Sequence, residues 1–242
     1  MPLNTSLVLD RGGTSLDHIA IGVPDTQQGV RQIAEMTGVE PLIREPEPDQ
    51  FYWSGAIPLG HGRFLEILGP NPHYKKFNPF IEAVRKLETP HPIFWYVATD
   101  DFDAFGAVAK AAKAPLQRIE SIRYERDGDL TDYRRAIMGP GFRSTRPCVI
   151  QWNARSDWPA ETPELQVEAL RLFSPEAERL RQLFDHLGID QKVENGPEQI
   201  SLTLGTPKGS ITLAGPGMVY KGLGAMAAMA SMYLSYLLRP KK

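Results

Sequence analysis

The feature that most constrains this chain is a structural start that occurs three times. Leu16 to Val23 (LDHIAIGV) reads as a strand, and Asp25 with Gln28 makes a capping box for a helix that Gly38 ends. Ile93 to Ala98 (IFWYVA) repeats the strand, with Ile93 standing 75 positions after His18. Asp100 then opens a helix in which Phe105, Val108 and Ala109 match Val30, Ile33 and Ala34. Val167 to Phe173 starts the third copy, Ser174-Pro175-Glu176 supplies a cap with proline at the first helical position, and the helix stops at Gly188. A period of this length means one supersecondary unit that buries its apolar face against its neighbours.

The ends of the copies also correspond. Gly62 to Pro70 (GRFLEILGP) matches Gly209 to Pro216 (GSITLAGP) with one residue fewer, and Cys148 to Trp152 closes the middle copy. Strand-like segments lie between, near Leu116 to Tyr124 and Thr131 to Met138. The predicted unit is therefore βαβββ, with modules over about 16–70, 93–153 and 167–216 of a domain spanning 14–220. The expected fold class is α+β, with two paired modules, a partial third, helices outside curved mixed sheets, and a C-terminal apolar helix over 221–242.

Charged residues are 23% of the chain and the net charge is −2, so no field draws it to nucleic acid or an anionic membrane. A single cysteine, Cys148, rules out an intramolecular disulfide and a thiolate zinc cluster, which fits a reducing cytoplasm. Met1 to Gly13 has no apolar run of signal-peptide length. Gly222 to Leu238 is 17 residues without a charge, short of a firm membrane span. Its weak hydrophobicity favours a helix docked on the domain or on a second subunit of a homodimer, with a tail anchor as the alternative.

Strand alternation assigns faces. Ile19, Ile21 and Val23 belong under the helix, so His18, Ala20 and Gly22 face away from it. In the closing strand Leu65 and Ile67 take one face, and Glu66 shares the other with Phe64 and Leu68. A carboxylate among apolar residues needs a partner, because an unpaired buried charge costs several kcal/mol. A metal or a histidine would serve, and so would Arg63 or water at an edge strand. Asp17-His18 taken alone is more often a structural pair than a ligand site. His61, His73 and His186 lie in a turn, after a Pro-rich loop and at a helix end.

Together, LDHIAIGVPD, a helix and GRFLEILGP resemble the glyoxalase-like domain of the vicinal oxygen chelate superfamily. RPCVIQW is similar to the end of the second module there, and VEALRLFSPEAERLRQLFDHLGI with TPKGSITL resembles a third unit. The resemblance implies a divalent metal held by the first and last strands of paired modules, with His18 and Glu66 at the first-module ligand positions. The matching second-module positions are Ile93 and Gln151, and His91 could substitute if its strand starts early. FYWSGAI lacks the Gly-Thr-x-Asn pattern frequent in the family.

Such a centre, of Zn, Mn, Fe or Ni, would take two neighbouring oxygens of a small substrate and stabilise an oxyanion or enolate, with a carboxylate, Glu66, or a bound hydroxide moving the proton. Isomerase, lyase, hydrolase or dioxygenase chemistry would follow. The alternative is a protein of the same fold that sequesters a small molecule without catalysis, and a third reading is a scaffold with decayed sites. Phe51, Tyr52, Trp53, Trp95 and Trp152 are candidate pocket walls or core residues. Arg118, Arg123, Arg134, Arg135, Arg143 and Arg146 could hold a carboxylate or phosphate, or form a solvated face.

Overall fold

In a computed structural model, which describes residues 13–43, 45–46, 50–126, 128–139, 142–155 and 165–220, the first unit has one helix and four strands. It runs β1 (Thr14–Gly22), α1 (Thr26–Thr37), β2 (Leu42–Ile43), β3 (Tyr52–Gly60) and β4 (Arg63–Pro70). A short α2 (Pro79–Val84) leads to β5 (His91–Thr99), α3 (Phe102–Ala111), β6 (Leu116–Arg126), β7 (Asp129–Met138), β8 (Phe142–Arg143) and β9 (Cys148–Ala154). The third unit is β10 (Gln166–Ser174), α4 (Ala177–Leu187), β11 (Val193–Asn195), β12 (Gln199–Thr206) and β13 (Gly209–Pro216), followed by β14 (Val219–Tyr220).

The first two units share one eight-stranded sheet of order β2-β3-β4-β1-β5-β9-β7-β6. Read from either edge the order has the same sense, with the opening and closing strands of each unit at the centre. β1 pairs antiparallel with β5, while β1 with β4 and β5 with β9 are parallel. This is the paired-module α+β architecture the repeat predicts. The third unit has a helix and four strands of its own in a separate sheet, β11-β10-β12-β13.

Local signals explain most helix ends. Asp25 accepts from the Gln28 N–H at 2.8 Å, and Gly38 adopts φ 78°, a left-handed value that glycine reaches without a Cβ clash. The second helix opens one residue later than the sequence suggests, because Asp101, not Asp100, accepts from the Ala104 N–H. The third is also displaced. Ser174 still belongs to β10, where its hydroxyl accepts from Glu176 N–H, and α4 begins only at Ala177, beyond Pro175.

One face of the large sheet is closed. Ile19, Ile21 and Val23 pack in one core with Ile33 of α1, Phe105 of α3 and Leu172 and Leu202 of the third unit. Trp95 belongs to this core too, edge-on to Phe184 at 5.9 Å, so it is not a pocket wall. A one-residue slip of β1 would turn Ile19 and Ile21 outward at about 2 kcal/mol each, which fixes His18 on the other face. That inner face is covered at one end by Phe80, Ile81 and Val84 of α2, against Ala20, Leu68, Ile93 and Cys148. Elsewhere its residues are half-buried, among them Tyr52, Phe64, Glu66, Phe94, Tyr96 and Tyr133.

A polar network fastens the third unit to the second. Glu198 accepts from Thr145, Ser174 and Arg143, while Arg143 and Arg146 also reach Glu176. The C-terminal helix expected over 221–242 lies outside the described residues. Among those described, no helix is long and apolar enough to cross a membrane.

Candidate functional site

The site grows from an irregularity in β1. Between Leu16 and His18 the register with β5 shifts, so Asp17 and His18 do not alternate simply. The His18 ring lies between Phe64, at 4.5 Å and 15°, and Tyr96, at 4.3 Å and 20°. Its Nδ1 meets Asp17 Oδ1 at 2.5 Å, which leaves Nε2 as the nitrogen free for chemistry. Asp17 itself is buried, and its Oδ2 accepts from Trp152 Nε1 at 2.9 Å and Arg155 Nη1 at 3.4 Å. Burial works to raise the pKa of Asp17, but His18, Arg155 and Trp152 outweigh it and hold the carboxyl below its ordinary value. The Arg155 guanidinium stacks over Trp152 at 4.8 Å and Phe64 at 5.4 Å.

Glu66 stands on the next inward position of β4, paired with Ala20. Removal from water pushes the Glu66 pKa up; the His18 charge, a Ser54 hydrogen bond and Arg135 only partly oppose this. A carboxyl set above its ordinary range, on one face with an imidazole whose charge it feels, is suited to taking up and releasing a proton. Across the module junction, Tyr96 is held well above the usual phenol value by burial and the neighbouring Cys148, and Cys148 is pushed by burial to about 12. Both remain protonated near neutrality, so the cysteine is no nucleophile.

Two other residues expected at the site stand elsewhere. Gln151 donates to the Asp100 carbonyl and accepts from the Phe102 N–H, both at 3.1 Å, tying β9 to the start of α3 on the helix side. β5 does begin at His91, but a second register shift follows there. The His91 ring consequently packs on the third unit, where a Cβ added to Gly215 would lie 2.2 Å from it. Its Nδ1 meets the Thr89 carbonyl at 2.9 Å. Thus His18 and Glu66 share the inner face, and Gln151 and His91 do not join them.

A divalent ion needs more donors than this pair offers. Ile93, at the matching second-module position, is an apolar core residue, and among the described residues no three His, Cys, Asp or Glu side chains could hold a metal ion. The described residues therefore do not compose the metal centre that the resemblance implies. Asp17 and Tyr96 were missed as site residues, whereas Arg135 was one of six arginines weighed for a carboxylate or phosphate. For Asp17 the only sequence signal is its adjacency to His18, because strict alternation points it under the helices.

No curated protein matches the sequence. A mutant 4-hydroxymandelate synthase from Streptomyces coelicolor has a similar structure, with TM-score 0.52 and 14% identity over 84% of this chain and 63% of that one. A hypothetical protein from Staphylococcus aureus matches with TM-score 0.49 and 11% identity over 85% of this chain and 86% of that one. A methylmalonyl-CoA epimerase from Streptomyces coelicolor matches with TM-score 0.44 and 18% identity over 59% of this chain and 100% of that one. The first of these shares the fold, in keeping with the paired modules. The family model for the glyoxalase-like domain matches residues 16–188, and the chain belongs to that family, within the vicinal oxygen chelate superfamily.

Proposed function

We propose that the chain is an enzyme that moves a proton on a small molecule carrying neighbouring oxygens, bound on the inner face of the eight-stranded sheet. The observation that carries this reading is the placement of Glu66, its pKa raised by burial, on the same face as His18, whose other nitrogen is engaged by Asp17. Glu66 removes a proton from the carbon beside a carbonyl, and His18 Nε2 returns one from its own side. Asp17 fixes the orientation of the imidazole through its Nδ1 contact, so that Nε2 is presented to the ligand. The half-buried aromatic rings of the inner face exclude water from the rest of the ligand.

The test is exchange of the protons on C3 of 2-oxobutanoate with D2O, followed by NMR. The wild type accelerates exchange, and Glu66→Gln lowers the rate by about 100-fold or more while ligand binding persists. Exchange equal in the two proteins would refute the role of Glu66. Elemental analysis of protein purified without a chelator or a histidine tag, compared with His18→Ala, tests the donor set. Stoichiometric Zn, Mn, Fe or Ni that His18→Ala removes would restore a metal-dependent reading.

A second reading, sequestration without catalysis, is favoured by the absence of an imidazole or carboxylate from the second-module ligand positions, where Ile93 and Gln151 stand. Binding with no exchange in any variant would support it.

A further inference from the structure

Resting on that inner-face reading, we infer that Arg135 is an anion anchor and that the ligand is a small monocarboxylic acid with a flat apolar body. Four of the other arginines weighed from the sequence are committed elsewhere. Arg123 pairs with Asp132, Arg134 pairs with Asp103 and lies over Phe102, and Arg143 and Arg146 join the network at Glu176. Arg135 differs in both place and use. It neighbours Ile150 and Glu120 across the sheet, and its Nε donates to Glu120 Oε2 at 2.6 Å. Its two Nη nitrogens make no hydrogen bond among the described residues. The buried unpartnered side-chain atoms there are Asn78 Nδ2, His91 Nε2, Trp95 Nε1 and Arg155 Nη2, so the open end of Arg135 is reached by solvent.

The guanidinium is thus clamped along one edge and open at its end, the edge that fits the two oxygens of a carboxylate. Glu66, Tyr52, Tyr96 and Tyr133 lie within its electrostatic reach. The rings supply faces for an apolar body, and a carboxylate on Arg135 would present the adjoining atoms toward Glu66. Charge selects a monoanion over a phosphate. Glu120 already offsets the arginine, so a dianion beside ionised Glu66 would meet net repulsion.

The experiment is calorimetric titration of the full-length chain with benzoate, the neutral isostere benzamide, and inorganic phosphate. Benzoate should bind at least about 10-fold more tightly than the other two, and Arg135→Gln should remove that preference. Glu66→Gln should tighten benzoate by about 3-fold at pH 8 by removing a nearby negative charge. Equal binding of benzoate and benzamide to the wild type would overturn the inference, as would unchanged benzoate affinity in folded Arg135→Gln. If Arg135→Gln does not fold, Glu66→Gln decides, and a benzoate affinity that it leaves unchanged overturns the inference too. Carboxylate binding that depends on Arg135, without any proton exchange, would sink the catalytic reading and leave the anchor standing.

Discussion

Trp152 donates its indole N–H to Asp17 Oδ2 at 2.9 Å, joining the last strand of the second module to the first strand of the first. The bond spans the module junction and ends on a buried carboxylate that in turn holds His18. Trp152→Phe keeps most of the ring but removes the donor, and should cost about 1.5–3 kcal/mol, the range for a hydrogen bond to a charged group. Asp17→Asn should cost more, about 3 kcal/mol, because Arg155 loses its charged partner in a partly buried setting. Urea denaturation measures both. Nitrogen NMR of His18 separates positioning from packing, since Asp17→Asn should alter the Nδ1 shift even where the fold is intact.

The same pair sets an acid limb of stability. Asp17 has a folded pKa below its ordinary value of 3.8, so the stability it contributes is fully present above 3.8 and is lost as pH falls through the folded value. Melting curves between pH 2 and pH 5 should show this loss in the wild type, on the order of the range that such linkage spans. Asp17→Asn should lie lower at pH 5 and flatten across the window. Parallel curves for the two proteins would mean that Asp17 is not held in its charged form.

The paired modules were legible because their periodic starts and ends depend on strong local signals: apolar alternation in Leu16 to Val23 and Leu65 to Ile67, the Asp25 cap and the Gly38 stop. His18 and Glu66 were legible for the same reason, since alternation opposite a closed core fixes which way each points. Gln151 was not, because its amide finds backbone partners at Asp100 and Phe102 that no sequence spacing reveals. The register shifts of β1 against β5 are equally hidden from the sequence, and one of them lies where His91 was expected to turn toward the site. A bulge is set by how both strands pack, and a one-strand pattern does not contain it.

His91 and Gly215 provide a test of how the third unit seats on the large sheet. Any side chain at Gly215 would meet the His91 ring, with a Cβ only 2.2 Å away. Gly215→Ala should therefore destabilise by about 1–3 kcal/mol, the cost of overpacking. His91→Ala in the same protein should recover part of that loss, and a double-mutant cycle by thermal denaturation gives the coupling. Additive effects would show that the ring does not seat there.

Glu66 should show the opposite sign to Asp17, and this is the strongest stability signature of a working site. Its folded pKa lies above the ordinary 4.5, raised by burial against the opposing influence of His18, Ser54 and Arg135. Below 4.5 the carboxyl is protonated in both folded and unfolded chains and contributes nothing to pH dependence. As pH rises past 4.5 the unfolded chain ionises first, so the native state loses stability until pH exceeds the folded value. Glu66→Gln removes this penalty while keeping shape and a hydrogen-bonding group toward Ser54. The variant should melt higher than the wild type at pH 7, by a few degrees for each ~1 kcal/mol relieved, and match it at pH 4. A gain in stability together with lost proton exchange is the trade expected when a carboxylate is kept for chemistry rather than for folding. A Glu66→Gln protein less stable than the wild type at pH 7 would place the carboxylate among the structural ion pairs instead.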